Sequence, residues 1–376
     1  WHSRPEVASR QVGFAIGSVC HHAPHRMEQT MLPHETKTRR LELDEYANSR
    51  RICEPSVPPQ HSTSKTRPNG AQMDGKSWLM LIVLSILWGG SFFFTEIALV
   101  DLPPFTLVLC RVAIASLILW WVVLLRNVPI PRDPTFWGTI AVMGALNNLV
   151  PFSLIVWGQT HIASGLAAIL NGTTPLFTII IAHIATDTEK LNLRKAAGVL
   201  IGFAGVLVVI GMPEAKTSAA TDLLSTLAPC AVLLAAISYG CAGVYGRRFS
   251  TTSPILTAAG MTSASSLMLI PLAAVVDTPW HLPVPSPTTI MAVLGIAALS
   301  TALAYILYFA ILKRAGASNL LLVTFLIPVS AIMLGIGFLG EVLLVRQIVG
   351  MSVIGVGLAV IDGRLLPCIR KNPIID

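Results

Sequence analysis

A succession of apolar segments from Ser77 to about Gly363 constrains this chain more than any other feature of its sequence. Each segment has close to the roughly 20 residues that a helix needs to cross the hydrocarbon core of a bilayer. Only 12% of the residues are charged and 53% are hydrophobic, which is more apolar surface than a soluble domain of this length can bury. We therefore predict an all-α integral membrane protein with ten transmembrane helices. The predicted spans are 77–98, 104–125, 136–157, 163–185, 195–211, 223–246, 254–276, 288–312, 316–339 and 346–363.

Lysine and arginine residues predict the orientation of these spans, because cytoplasmic loops carry an excess of both. Sixteen of them follow residue 72, and thirteen fall on the same side of the membrane as Lys76. The opposite side receives Lys216 and Arg346, and Arg111 lies within the second span. We expect a multi-pass protein of the cell inner (plasma) membrane with both termini in the cytoplasm. Since the cations cluster between apolar segments, the net charge of +7 indicates the lipid bilayer as partner and not nucleic acid.

The two ends of the chain differ from the apolar part between them. Residues 1–72 are rich in Arg, Glu, Pro, His and Ser, and no apolar run there is long enough to span a membrane. We predict a disordered or over-extended N-terminal segment, and a cytoplasmic tail at 364–376. The six cysteines show no paired spacing, and the stretch "CHHAPH" at 20–25 has no second ligand pair. Neither a disulfide framework nor a metal site is therefore predicted.

The apolar part repeats itself at an offset of 153 residues. Each copy, 77–211 and 223–363, contains five predicted spans, and because five is odd the two copies must be inverted relative to each other. Inverted repeats are typical of secondary transporters, in which two similar halves expose one central site alternately to each side. A duplicated structural or sensory bundle without transport is the alternative. The matched pairs are Asn148 with Thr301, Phe152 with Tyr305, Asn171 with Thr324, Pro175 with Pro328 and, after a one-residue gap, Glu189 with Glu341.

A polar stripe interrupts the fourth span, where lipid tolerates polar groups least. Asn171 and Pro175 share a helix face, since positions three and four apart lie above one another. The stripe is expected to point into the bundle, because an amide facing lipid has no partner. Pro175 should free the carbonyl of Asn171 and kink the helix. Thr324 repeats the stripe in the ninth span, so both helices are predicted to line a central cavity; tight helix packing is the alternative.

Further candidates for a substrate-binding cavity are polar or aromatic residues deep in other spans. The adjacent amides Asn147 and Asn148 are about 100° apart on a helix, so that only one can face the cavity squarely. The aromatic residues could enclose a planar or apolar solute, although buried aromatic residues more often belong to the core. These candidates are Trp88, Asn147, Asn148, Tyr239, Thr301, Tyr305 and Tyr308.

Two charged residues, Glu96 and Arg111, lie well inside the predicted spans. Their helices are neighbours in sequence, and an unpaired charge at membrane depth is costly. We predict an ion pair that opens and closes with the outer gate, with Glu96 as the residue that couples transport to protons. There are two alternatives. One is a static salt bridge between the helices, and the other is two independent side chains that each extend towards the membrane–water interface.

The motifs of enzymes and of ATP-driven proteins are missing from the sequence. No Walker A sequence is present, and "GIGFLG" at 335–340 ends an apolar span and has no preceding strand. The spans contain no nucleophile with a base and no paired carboxylates. We therefore predict that the protein is not an enzyme and uses no cofactor or metal; an intramembrane enzyme is the less favoured alternative.

Three motifs resemble those of the EamA family of exporters, in the drug/metabolite transporter superfamily. They are "LWGGSFF" in the first span, "PLF" followed by a glutamate in the fourth and "IPV" followed by "GE" in the ninth. The resemblance covers nearly all of 77–363 and implies a ten-helix bundle with a central cavity. It also implies export of small metabolites or drugs, amino-acid-like or purine-like, without ATP. The absence of other charge from the middle of the spans favours a zwitterionic or neutral solute.

Overall fold

The computed structural model describes residues 74–187, 189–211, 219–320 and 322–362, so the predicted segments 1–72 and 364–376 lie outside the described residues. Within these ranges all regular secondary structure is helical. Nine of the described helices are apolar and long enough to cross a membrane, and one further apolar helix is shorter. The nine are α1 (Gly75–Ala98), α2 (Pro104–Leu125), α3 (Pro134–Gln159), α4 (Ser164–Ala185), α5 (Leu193–Ile210), α6 (Thr226–Phe249), α7 (Pro254–Val276), α8 (Pro287–Gly316) and α10 (Val345–Asp362), and the shorter one is α9 (Val323–Leu339).

Helix starts follow from caps and prolines in the sequence. Asp74 and Asp133 accept hydrogen bonds from the backbone N–H groups of Ser77 and Thr135, which satisfies donors that the first turn leaves free. Proline occupies the first turn of four helices, where its missing N–H costs nothing. These helices are α2, α3, α7 and α8, with Pro104, Pro134, Pro254 and Pro287.

Two helices widen into π-helical segments at equivalent positions. In α3 the segment is Ala145–Leu149, and in α8 it is Ala298–Leu303. The two segments begin 153 residues apart, which is the offset of the sequence repeat. π-helical segments inside α-helices often mark functional sites. These two segments contain Asn147, Asn148 and Thr301.

Helix α4 is interrupted, and the position of the break corrects the predicted kink. Its first part is Ser164–Asn171 and its second is Thr174–Ala185, with Gly172 and Thr173 between them. Pro175 therefore lies in the first turn of the second part and not inside a continuous helix. This position avoids the loss of a helical hydrogen bond, because the N–H groups of a first turn have no partner within the helix.

The ninth predicted span, 316–339, is shorter in the structure. Gly316 has φ 80° and ψ 168°, which is outside the helical region, and it interrupts the helical stretch Ala304–Leu320. Such a positive φ is accessible to glycine because it lacks a Cβ atom. The apolar helix α9 then begins only at Val323, with Pro328 inside it.

The main helix contacts have the same pattern when viewed from either half. Helix α1 packs against α8 and α9, and α6 packs against α3 and α4. These contacts correspond, because α6, α8 and α9 each come five places after α1, α3 and α4 in the order of helices. Helix α2 contacts α8 as α7 contacts α3, and α5 packs on α10 as α2 packs on α7. Large apolar side chains such as Leu193 and Val275 remain 88% and 79% exposed, as expected for surfaces that face lipid.

Candidate functional site

A hydrogen-bonded group of neutral side chains joins the π-helical region of α3 to α8. Asn147 Nδ2 donates to the hydroxyl oxygen of Tyr305 over 2.9 Å and to Asn148 Oδ1 over 3.3 Å. The Tyr305 hydroxyl donates to Asn148 Oδ1 over 2.8 Å, and Asn148 is fully buried. Both amides thus contact Tyr305, and the expectation that only one of them faces a cavity squarely stays a prediction.

Arg111 of α2 lies beside this group and contacts both halves of the chain. Its Nε donates to Thr301 Oγ1 over 3.0 Å, and its Cζ lies 3.7 Å from the centroid of the Phe152 ring. The Phe152 ring is 6.5 Å from the ring of Tyr239, in an edge-to-face arrangement. Arg111 is 6% exposed and thus buried in the bundle. The structure therefore groups Arg111, Thr301 and Tyr239, which the sequence had indicated separately.

Glu96 lies elsewhere, and the predicted ion pair with Arg111 is absent from this conformation. Glu96 accepts a hydrogen bond from Gln159 Nε2 over 3.3 Å, and the same nitrogen donates to the carbonyl of Phe92 over 2.9 Å. In the part of the chain that the structure describes, the ion pairs are Lys190–Asp187, Arg247–Glu189 and Arg314–Asp74. The prediction assumed that sequential helices pack together. Instead α2 packs mainly against α7 and α8, and α1 against α8 and α9.

The aromatic candidates lie where opposite halves meet. Trp88 of α1 contacts Tyr308 of α8, with ring centroids 5.6 Å apart. Tyr239 of α6 contacts Phe152 of α3, as described above. Trp88 and Tyr239 are 151 residues apart, close to the offset of the repeat. Trp88 contacts α8 and Tyr239 contacts α3, and these two helices occupy equivalent places in the two halves. All four aromatic candidates are half-buried, namely Trp88, Tyr239, Tyr305 and Tyr308.

The break in α4 lies against α9. An added Cβ at Gly172 would meet Cγ of Pro328 at 3.2 Å, which shows how closely the two helices approach. The Thr174 hydroxyl donates to the carbonyl oxygen of Asn171 over 2.7 Å, so the carbonyl that was expected to be free is satisfied. The Asn171 side-chain oxygen is buried and has no hydrogen-bond partner among the described residues. Thr324 of α9 is half-buried.

Glu341 joins the two halves at the end of the bundle where α4 begins, which we call the Glu341 end. Its Oε1 accepts from the N–H of Ser164 over 2.8 Å, and its Oε2 accepts from the N–H of Gly165 over 3.1 Å. A carboxylate is favourable there because the first turn of a helix carries free donors and a partial positive charge. Glu341 was not among the site residues predicted from the sequence, although its alignment with Glu189 was the available signal. Glu189 instead pairs with Arg247 Nη2 at 2.7 Å.

A second set of contacts at the Glu341 end links the connection after α1 to the start of α8. Asp101 accepts from the backbone N–H of Ser286 over 2.9 Å and from the Ser286 hydroxyl over 2.6 Å. The hydroxyl of Thr289 donates to the same carboxylate oxygen over 2.6 Å. The hydrogen bonds from Ser286 and then Thr289 lower the pKa of Asp101, because they stabilise its charged form. The Asp101 carboxylate that joins the two halves is therefore ionised at neutral pH.

Comparison with known proteins assigns this helical bundle. The EamA-like transporter family matches residues 76–211 and, a second time, residues 226–362. The chain is 24% identical over 288 residues to the uncharacterized transporter YoaV of Bacillus subtilis, covering 75% of this chain and 95% of that protein. It is 24% identical over 265 residues to the uncharacterized inner membrane transporter YedA of Escherichia coli K12, covering 70% and 83%. Protein PecM of Dickeya dadantii is 26% identical over 291 residues, with 76% and 92% covered.

A solved crystal structure shares the fold. It superposes with a TM-score of 0.55 at 19% sequence identity, and the match covers 77% of this chain and 96% of the other. Together with the apolar helices, the family match makes this chain a multi-pass membrane protein of a transporter class. The two matches cover most of the chain, and it belongs to the EamA-like transporter family.

Proposed function

We propose that this protein is a secondary transporter that exports a small amino-acid-like or purine-like metabolite or drug across the inner membrane by alternating access. The observation that carries this proposal is the group formed by Asn147, Asn148 and Tyr305 next to Arg111. These polar groups lie between the halves of an apolar bundle, where intramembrane polar residues usually serve a solute pathway. The names of the relatives support transport as the general activity.

The proposed architecture is ten spans in two inverted repeats, 77–211 and 223–363. The two family matches, the π-helical segments 153 residues apart and the corresponding helix contacts support it. In this proposal α9 lies in the ninth span, 316–339, and brings the number of spans to ten. The excess of Lys and Arg in alternate connections supports cytoplasmic termini, which makes the Glu341 end the outer one.

Unequal contacts at the two ends support alternating access. At the Glu341 end the carboxylate of Glu341 holds the first turn of α4, so the two halves touch there. Glu189 matches Glu341 in the repeat but pairs with Arg247. In a rocking transporter, the two similar halves touch at one end of the bundle and are apart at the other in each state. The different contacts of Glu341 and Glu189 fit one such state. We interpret this conformation as closed at the outer end, and its counterpart as one in which Glu341 releases α4.

Glu96 is the proposed proton-coupling residue, near Gln159 and towards the Glu341 end. It is half-buried, and its described hydrogen bond comes from the neutral amide of Gln159. Protonation would therefore change the charge of the bundle close to the proposed outer gate. The proposal includes no enzymatic step, and a bundle without transport is an outcome that the following experiment can reveal.

Efflux from loaded vesicles tests the proposed function. Purified protein is reconstituted into vesicles loaded with labelled amino acids, amino-acid analogues and purines, and release is measured with and without a pH gradient. We expect protein-dependent release of at least one unchanged solute. Asn148→Leu, which removes the acceptor for Tyr305, should reduce that release while the protein still elutes as a folded species. Release equal to that from protein-free vesicles for the whole panel would contradict the proposal, and chemical conversion of a solute would favour an enzyme.

A further inference from the structure

Among the residues whose side-chain burial the structure describes, Arg111 is the only charged one that is buried. None of the ion pairs among these residues includes it. A cation inside a low-dielectric bundle is costly unless an opposite charge offsets it. The isolation of Arg111 therefore suggests that its counter-charge is supplied by something other than the described residues.

The hydrogen bonds of Arg111 leave most of its donors available. A guanidinium has five N–H donors, and the described acceptor is Thr301 Oγ1, which bonds to Nε. The plane of the group rests on the Phe152 ring, so its orientation is fixed. A fixed planar fork with free Nη groups has the geometry that binds a carboxylate through two parallel hydrogen bonds.

The neighbouring polar groups are neutral and also have a donor to spare. Asn147, Asn148 and Tyr305 bond to one another and carry no charge that could offset Arg111. The Nδ2 donor of Asn148 is buried without an acceptor among the described residues. The free N–H donors of Arg111 and Asn148, together with the single positive charge of Arg111, therefore suit a ligand that has hydrogen-bond acceptors and one negative charge.

We propose that Arg111 binds the carboxylate of the transported solute. This inference rests on the proposed function and narrows it to solutes that carry a carboxylate. It replaces the expectation of a zwitterionic or neutral solute, because that expectation assumed no fixed charge in the middle of the spans, whereas Arg111 contacts Thr301 and Phe152 there. Neutral purines and amines without a carboxylate are then poor solutes.

Thermal unfolding of the purified protein tests this assignment without requiring transport. The probes are the L-amino acids, benzoate and short-chain carboxylates, each compared with its primary amide in a chloride-free buffer. We expect at least one carboxylate to raise the Tm of the wild-type protein by several degrees, and its amide to have no such effect. Arg111→Met should abolish the difference and Arg111→Lys should reduce it. Arg314→Met is the matched control, since Arg314 pairs with Asp74 at an exposed position, and it should keep the full response.

Three results would overturn the inference. They are a wild-type protein that no carboxylate stabilises more than its amide, a carboxylate effect that survives in Arg111→Met, and an equal Tm increase with chloride. If Arg111→Met does not fold, an undiminished response in Arg111→Lys contradicts the proposal instead. Efflux of an amide as fast as of its carboxylate would contradict this inference but leave transport intact. Carboxylate binding through Arg111 without any flux would contradict transport alone.

Discussion

Individual residues in the centre of the bundle combine a buried charge with neutral partners. Arg111 contacts Thr301 and Phe152, whereas the amides of Asn147 and Asn148 meet at Tyr305. Removal of one such group should therefore affect solute binding more than the folded state, provided that the group has few bonds within the protein. Asn171 and Glu96 allow that expectation to be tested.

Asn171→Leu should lower transport without unfolding the protein. The Asn171 side-chain oxygen has no hydrogen-bond partner among the described residues, so its replacement by leucine breaks no hydrogen bond of that atom. We expect the free energy of unfolding to change by less than about 1 kcal/mol and flux to fall roughly tenfold through loss of solute binding. Flux in vesicles and the amount of folded protein are measured on the same preparation. Equal losses of both would assign Asn171 to helix packing.

Glu96→Gln should abolish the response of transport to a pH gradient. The substitution keeps the shape of the side chain near Gln159 but removes its titration. Glu96→Asp keeps a carboxylate and serves as the matched control, with a gradient response that is retained. Export by Glu96→Gln with the same pH dependence as the wild type would exclude Glu96 as the coupling residue.

Helices determine how closely the two halves approach each other. The pair α5 and α10 meets through glycines, and the first turn of α4 meets Glu341. The first contact is fixed by backbone packing, and the second by hydrogen bonds that can be broken. The two contacts should therefore respond differently to substitution.

Gly357→Ala should destabilise the bundle. The new Cβ would lie 2.6 Å from the carbonyl oxygen of Gly198 and from the nitrogen of Gly202, both backbone atoms that cannot move aside easily. We expect a loss of about 1–3 kcal/mol, seen as a lower Tm in detergent. Gly355→Ala on the same helix has no atom within 4 Å of its Cβ and should leave the Tm unchanged or slightly raised. Similar Tm values for the two variants would contradict the described packing of α5 on α10.

Glu341→Gln should open the Glu341 end. The amide replaces one of the two acceptors that hold Ser164 and Gly165 with a donor, at a cost of about 1–3 kcal/mol. In a cysteine-free background, a cysteine introduced at Ala163 should then react faster with a membrane-impermeant maleimide. Glu189→Gln breaks only the exposed pair with Arg247 and should leave this rate unchanged. Equal labelling of wild type and Glu341→Gln would argue against a gate at this contact.

The sequence predicted the spans better than their internal geometry. Length and apolarity specify where a segment crosses a bilayer, and nine predicted spans correspond to helices of sufficient length. The break at Gly172 and the late start of α9 were missed, because local backbone geometry depends on what packs against it. The predicted pair of Glu96 and Arg111 is absent from this conformation, in which helices adjacent in sequence are not the main packing partners.

At the scale of the whole molecule, the two halves have corresponding helix contacts, but the equivalent residues Glu341 and Glu189 make different contacts. Two matches to the family and the corresponding helix pairs support the proposal that a single site is reached from either side. Carboxylate recognition by Arg111, release of Glu341 and protonation of Glu96 would then act on one rocking motion. In such a mechanism, solute on one side accelerates movement of solute from the other.

Counterflow through reconstituted vesicles tests this account most directly. Vesicles are loaded with a high concentration of unlabelled solute, and entry of a trace of the same labelled solute is followed with no ion gradient. Alternating access predicts a transient accumulation of label above its equilibrium level, which disappears in Asn148→Leu. Label that only equilibrates, at a rate independent of the internal solute, would contradict a transporter with one alternately exposed site.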